Sequence, residues 1–131
     1  MKEVTAKKRL GQHFLIDLSI AKDIADTVDV CPSLPVLEVG PGMGVLTRFL
    51  LEKQRPVKVV EIDEESVSYL CKNLPRLGEE NIIPDDFLKM HLDRVFGNTP
   101  FMLIGNYPYN ISSQIFFKML DYKEYIPYCS G

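Results

Sequence analysis

The chain has 131 residues, 46% hydrophobic and 25% charged, with a formal net charge of −3. That composition belongs to a globular domain and excludes a disordered, collagenous or fibrous chain. The length allows one real core but not two independent ones.

The charge is uneven. Lys2, Lys7, Lys8 and Arg9 against Glu3 make residues 1–9 net +3, which leaves −6 on the rest of the chain. A basic arm over residues 1–16 therefore precedes an acidic body over 17–131. Two readings of the arm stand: a solubilising tail, or a segment that touches phosphates. No stretch of about 18 apolar residues occurs, and the first residues lack a hydrophobic signal core, which predicts no membrane span and a cytoplasmic location. The cysteines, Cys31, Cys71 and Cys129, are odd in number with no C-x-x-C pair. This argues against a disulfide framework and against a zinc site, and predicts small, reduced packing residues with no bound metal.

After the arm, Asp17 is placed to cap a helix whose Ile20, Ala21, Ile24, Ala25 and Val28 recur at helical spacing up to Cys31-Pro32. Pro35 to Gly40 reads as a short apolar strand. It runs into Gly40-Pro41-Gly42-Met43-Gly44 and then into a helix from Val45 to Leu51. A second strand, Val57 to Ile62, carries Glu61 at its end and precedes a helix reaching about Lys72. This closes a right-handed βαβ unit. Asn81 to Pro84 is a brief third strand ending at Asp85-Asp86. Phe101 to Gly105 is a fourth, apolar throughout as in a strand buried on both faces. It leads into Asn106-Tyr107-Pro108-Tyr109-Asn110 and then a helix from about Ser112 with Ile115, Phe116, Met119 and Leu120 on its apolar side. Strands alternating with helices predict an α/β fold with a mostly parallel sheet.

Glycines at 40, 42 and 44 let the backbone turn tightly beside a ligand at a helix N-terminus, where unpaired N–H groups favour an anion such as a carboxylate. The dinucleotide pattern G-x-G-x-x-G needs glycine at position 45. Val45 stands there, which weakens a NAD or FAD reading. Glu61 lies where a doubly wound fold puts a carboxylate on ribose hydroxyls. Asp85 and Asp86 close the third strand in the same manner; one suits an adenine amino group and the other a turn or capping role. His91 belongs to no motif and is read as a surface residue.

The segment Asn106-Tyr107-Pro108-Tyr109 follows a central strand at the edge where open α/β sheets bind ligands. N-x-P-Y in this position resembles the target-amine motif of S-adenosylmethionine-dependent adenine methyltransferases. The longer run from Ile104 to Ser112, with Gly11-Gln12-His13-Phe14-Leu15 and Glu38-Val39-Gly40-Pro41-Gly42-Met43-Gly44 upstream, resembles the ribosomal RNA adenine dimethyltransferases of the small subunit. The resemblance implies a Rossmann-like class I methyltransferase fold with strand order 3-2-1-4, and S-adenosyl-L-methionine as cofactor. It also implies dimethylation of adenine 6-amino groups in small-subunit ribosomal RNA within a 30S-type subunit, with no membrane partner.

By the same resemblance Gln12, His13 and Leu15 wall the methionine end of the cofactor and Gly40 brings backbone to it; Gly42 is a cofactor-contact candidate from the glycine turn itself. Glu61 meets its ribose, Asp86 its adenine, and Asn106 both cofactor and substrate. His13 stands where the family often has asparagine, and Tyr107 where it has leucine. The Asn106 side-chain oxygen and Tyr107 carbonyl would accept from the target amine, Pro108 would fix the turn and Tyr109 would stack on the flipped base. Two other readings share these motifs: a DNA or large-subunit RNA adenine methyltransferase, and a non-catalytic RNA-binding assembly factor.

The family sheet has seven strands and a helical RNA-binding domain after it. The chain is accordingly expected to be an N-terminal part, truncated after the fourth strand and its helix. It is expected to bind cofactor without full activity, and to self-associate through a bare fourth-strand edge.

Overall fold

The computed structural model describes residues 18–105 and 111–130. The predicted site residues Gln12, His13, Leu15, Asn106, Tyr107, Pro108 and Tyr109, the arm and the Asp17 cap lie outside them.

Pro35 and Gly40 bracket the apolar run that becomes strand β1 (Val36–Val39), buried at every position. Helix α1 (Leu18–Asp26) and a 3-10 turn at Thr27–Val30 precede it. Helix α2 (Val45–Leu51), strand β2 (Val57–Val60) and helix α3 (Glu64–Asn73) follow. Then come β3 (Ile82–Ile83), β4 (Met102–Gly105), α4 (Ser112–Asp121) and β5 (Tyr128–Ser130). The sheet order is β3-β2-β1-β4-β5 with every pairing parallel.

Both faces of the sheet are covered. Val36, Val59, Met102 and Ile104 pack with Ala25, Leu46, Leu50 and Leu70 from α1, α2 and α3. On the other face Leu37, Val39, Val60 and Leu103 pack with Phe87, Leu92 and Ile115. Each buried Val, Leu, Ile, Met or Phe side chain here contributes about 2 kcal/mol. Register is held by pairs such as Val36↔Val57 and Val36↔Met102. A slip by one residue would exchange the faces and turn Glu38 away from its partner on α2.

The segment entering β1 is closed by one cation. The Arg55 guanidinium donates to the carbonyls of Val28 (2.8 Å), Cys31 (2.5 Å) and Leu34 (2.7 Å from Nε). Val28 O and Cys31 O also accept turn N–H groups, from Cys31 and Leu34 at 3.2 Å each. The rigid fork adds a charged donor to both and supplies one to Leu34 O.

The expected order 3-2-1-4 is present, but the chain does not stop at a bare fourth strand. Tyr128–Ser130 pairs with Met102, Leu103 and Ile104 of β4. Thr27 Oγ1 donates to Ile24 O at 2.6 Å and shares a 2.8 Å hydrogen bond with Ser130 Oγ, fastening the new strand to the turn after α1. The edge invoked for self-association is thus occupied by the chain itself. Unpaired N–H and C=O groups along β4 recruit whatever extended segment is in reach, and the turn through Tyr125, whose carbonyl accepts from Phe101 N at 2.8 Å, delivers one.

Three finer expectations are also corrected. On α4 the stripe toward the sheet is Ile111, Ile115, Met119 and Tyr122. Phe116 and Leu120 are half exposed because they fall on the far side of that four-residue spacing. On α1, Ala21 and Ala25 are buried while Ile20 stays outside. The cysteines are free, but Cys71 and Cys129 are exposed rather than packed. Among the described residues no helix is long and apolar enough to cross a membrane.

Candidate functional site

The carboxyl ends of β1, β2, β3 and β4 share one edge, because Val39 pairs with both Val60 and Gly105, and Val60 pairs with Ile83. Their next residues, Gly40, Glu61 and Pro84, therefore line up along it. In sequence, residue 106 follows Gly105, the last residue of β4.

The turn after β1 carries left-handed glycines at 40, 42 and 44. Gly40 has φ +66° and its N–H donates to Val60 O at 2.9 Å. A Cβ built on it would meet nothing within 4 Å, so the backbone here faces open space that a ligand can approach. Gly44 has φ +83° and begins α2. A Cβ there would lie 2.5 Å from Leu74 Cδ1 and 3.1 Å from Leu70 Cδ2, so this glycine lets α2 pack on α3. The two outer glycines serve different ends: one leaves room for a ligand, the other for a helix.

Glu61 is buried, with 3% of its surface exposed. Its Oε1 accepts from Gly42 N at 3.0 Å and its Oε2 from Asp63 N at 3.0 Å. One carboxylate thus joins the turn after β1 to the turn after β2. A carboxylate oxygen accepts more than one hydrogen bond, so this linkage is compatible with ribose hydroxyls arriving from the open side. Asp63 caps α3, accepting from Ser66 N (2.9 Å) and Ser66 Oγ (3.0 Å).

Both aspartates accept from backbone N–H groups. Asp85 Oδ1 accepts from Asp86 N at 2.7 Å, and Asp86 Oδ1 accepts from Leu88 N at 3.0 Å, capping the 3-10 turn Phe87–Lys89. The residue that the resemblance assigns to adenine is itself the cap. His91 is exposed, as expected.

Glu38 escaped attention as a site residue, although an acid inside the apolar run V-L-E-V is a visible signal. It is 1% exposed and accepts from Thr47 Oγ1 at 2.5 Å. This buried contact fastens β1 to α2 across the glycine turn. Burial pushes the Glu38 carboxyl up to about 8, the Thr47 hydrogen bond works against that, and the nearby Glu61 charge adds to it. The folded protein thus keeps this proton at pH values where the unfolded chain, near 4.5, has lost it. Stability from this group is complete below about 4.5, falls as the pH rises, and is gone above about 8. Melting curves between pH 5 and 8 are expected to show Glu38→Gln, which mimics the protonated acid, losing less stability over that range than the parent. Parallel pH profiles for the two proteins would refute the assignment.

A groove of about 280 Å³ lies away from this edge, lined by residues including Arg48, Glu52, Pro75 and Arg76. Arg76 donates there to Leu51 O at 3.1 Å, closing the end of α2. It contains none of the candidate residues. Among the described residues no cluster of three His, Cys, Asp or Glu side chains could hold a metal ion.

Comparison with known proteins converges on one group. The family described as Ribosomal RNA adenine dimethylase matches residues 3–129. Ribosomal RNA small subunit methyltransferase A of Phocaeicola vulgatus is 73% identical over 128 residues, covering 98% of this chain and 45% of that protein. The protein of the same description from Bacteroides fragilis is 69% identical over 131 residues, covering all of this chain and 48% of that one. Among solved structures, the 23S rRNA methyltransferase ErmE is 37% identical with a TM-score of 0.66, over 80% of this chain and 41% of that one. The chain spans about half the length of the curated relatives it matches.

Proposed function

The chain belongs to the ribosomal RNA adenine dimethylase family, and from that premise we propose that it binds S-adenosyl-L-methionine along the carboxyl edge of its sheet and carries the catalytic segment for methyl transfer to adenine 6-amino groups of small-subunit ribosomal RNA. The observation that carries the cofactor reading is the Glu61 carboxylate bound to Gly42 N beside the open space over Gly40. A glycine with open space where a Cβ would sit, a buried acid that joins the turns after β1 and β2, and Asp86 after β3 suit a nucleoside with an amino-acid tail. Bound there, the cofactor supplies an electrophilic methyl group.

The chain's own residues then have separable tasks. Gly40 and Gly42 bring backbone close to the ligand, Glu61 accepts from the ribose hydroxyls, and Asp86 accepts from the cofactor's adenine amine. Gln12, His13 and Leu15 of the arm wall the methionine end. An adenine amine is a poor nucleophile because its lone pair is delocalised into the ring. The Asn106 side-chain oxygen and the Tyr107 carbonyl would accept from its two hydrogens, favouring a pyramidal nitrogen and stabilising the positive charge as a nitrogen–methyl bond forms, the sulfur–methyl bond breaks and the nitrogen then yields a proton to water. Pro108 holds the turn and Tyr109 stacks on the base, worth about 1–3 kcal/mol. Alignment of amine and methyl supplies much of the remaining acceleration, so no strong base is needed.

The resemblance to a 23S rRNA methyltransferase at 37% identity keeps a large-subunit substrate in view, but identities of 73% and 69% to small-subunit enzymes favour the small subunit. Calorimetric titration of the chain with S-adenosylmethionine should show saturable binding. A version extended to the length of its relatives should methylate small subunits and neither large subunits nor duplex DNA. No cofactor binding, or transfer to the wrong nucleic acid, would overturn the respective half of the reading. Binding without transfer to any substrate would favour a non-catalytic assembly factor.

A further inference from the structure

Lys118 is the one basic residue in the apolar centre of α4, between Phe117 and Met119. Its ammonium turns back onto the protein. It donates to Leu88 O at 3.0 Å and to Met90 O at 2.6 Å, thirty and twenty-eight positions earlier in the chain, and lies 5.6 Å from the centroid of the Tyr122 ring. Burial pulls its pKa down, while the charges of Asp86 and Asp121 oppose that pull. A partly buried lysine held this way is costly unless its donors are used, and here two carbonyls of a short turn use them.

The turn it grips is the one that Asp86 caps. Leu88 is held from both sides: its N–H donates to Asp86 Oδ1 and its carbonyl accepts from Lys118. The position of that peptide decides where the Asp86 carboxylate points, because the cap fixes Oδ1. We propose that Lys118 is a positioning residue for the adenine end of the cofactor site: by anchoring Leu88 and Met90 to α4 it orients Asp86 toward the ligand's 6-amino group. It also ties the turn after β3 to α4. This rests on the assignment of Asp86 to the cofactor adenine.

The test compares S-adenosylhomocysteine with its inosine counterpart, in which a 6-oxo group replaces the 6-amino group, by calorimetric titration of the whole chain. Asp86 can accept from the amine but not from the oxo group, so the parent protein should prefer the adenine ligand by about a hundredfold. In Lys118→Met this preference should shrink by about tenfold while the affinity for the inosine ligand stays within about twofold. If the methionine variant fails to fold, Lys118→Gln, neutral and one atom shorter, is expected to lose the preference in the same way. An undiminished preference in a folded variant overturns the proposal, and an equal loss for both ligands does so too, because a merely structural lysine would weaken both alike. A parent protein without any preference would instead overturn the Asp86 assignment and this proposal with it. Failure to bind either ligand would overturn the cofactor reading itself.

Discussion

Replacing Glu61 by alanine should weaken binding of S-adenosylhomocysteine by about a hundredfold, which corresponds to about 3 kcal/mol. The effect has two sources. The ribose loses a charged acceptor, and a hydrogen bond to a charged group is worth about 1.5–3 kcal/mol. The Gly42 and Asp63 N–H groups also lose the oxygens on which they rest, at 3.0 Å each, in a pocket where Glu61 is 3% exposed. Those donors would turn elsewhere and carry the glycine turn with them. Glu61→Gln should fall between the parent and the alanine variant. Its amide keeps one acceptor oxygen but sets an N–H donor against one of the two backbone donors. Calorimetric titration of the three proteins gives the order directly. An alanine variant with the affinity of the parent would refute the ribose assignment, and a folded alanine variant with an unchanged melting temperature would refute the linkage between the two turns.

Asn106→Ala, made in a version extended to the length of the relatives, should cut methyl transfer to small subunits by about a thousandfold. Affinity for the cofactor should change by no more than about tenfold. An acceptor that meets the amine as charge develops acts mainly on the transition state, and removing one such group elsewhere costs about a hundred- to a thousandfold in turnover. Turnover should therefore fall at saturating RNA as well as at limiting RNA, which separates a catalytic role from a binding role. Asn106→Asp keeps an acceptor oxygen and should retain more activity than alanine. Unchanged turnover in the alanine variant would remove the central element of the mechanism.

The contrast between these two residues shows where sequence reading is strong. Gly40, Gly42 and Glu61 were legible because each sits at a junction whose chemistry is local: a strand ends, the chain must turn, and a glycine or an acid follows within a few positions. The alternation of short apolar runs with helical spacing was enough for the parallel sheet, since both periods repeat within about ten residues. The segment from Asn106 to Tyr109 was legible as a motif, although its placement lies outside the described residues.

Other features had no local signature. Tyr128–Ser130 has no alternating pattern, and it is a strand only because β4 offers unpaired backbone groups beside it. Lys118 looks in sequence like a helix lysine bound for solvent. Its partners Leu88 and Met90 come near only when α4 packs on the face that holds Phe87 and Leu92. Glu38 reads as one letter of a glycine motif, yet its proton depends on burial against Thr47 and on the charge of Glu61 from another strand.

By itself, then, the sequence determined the order of elements as far as α4, the glycine turn and the acid that answers it, because those follow from backbone sterics and hydrophobic period over neighbouring residues. Only the tertiary structure decided which carbonyl a lysine meets, which acid keeps its proton and which strand edge is closed. Hydrogen bonding and desolvation act over a few ångströms in space, between groups that the chain separates by tens of residues.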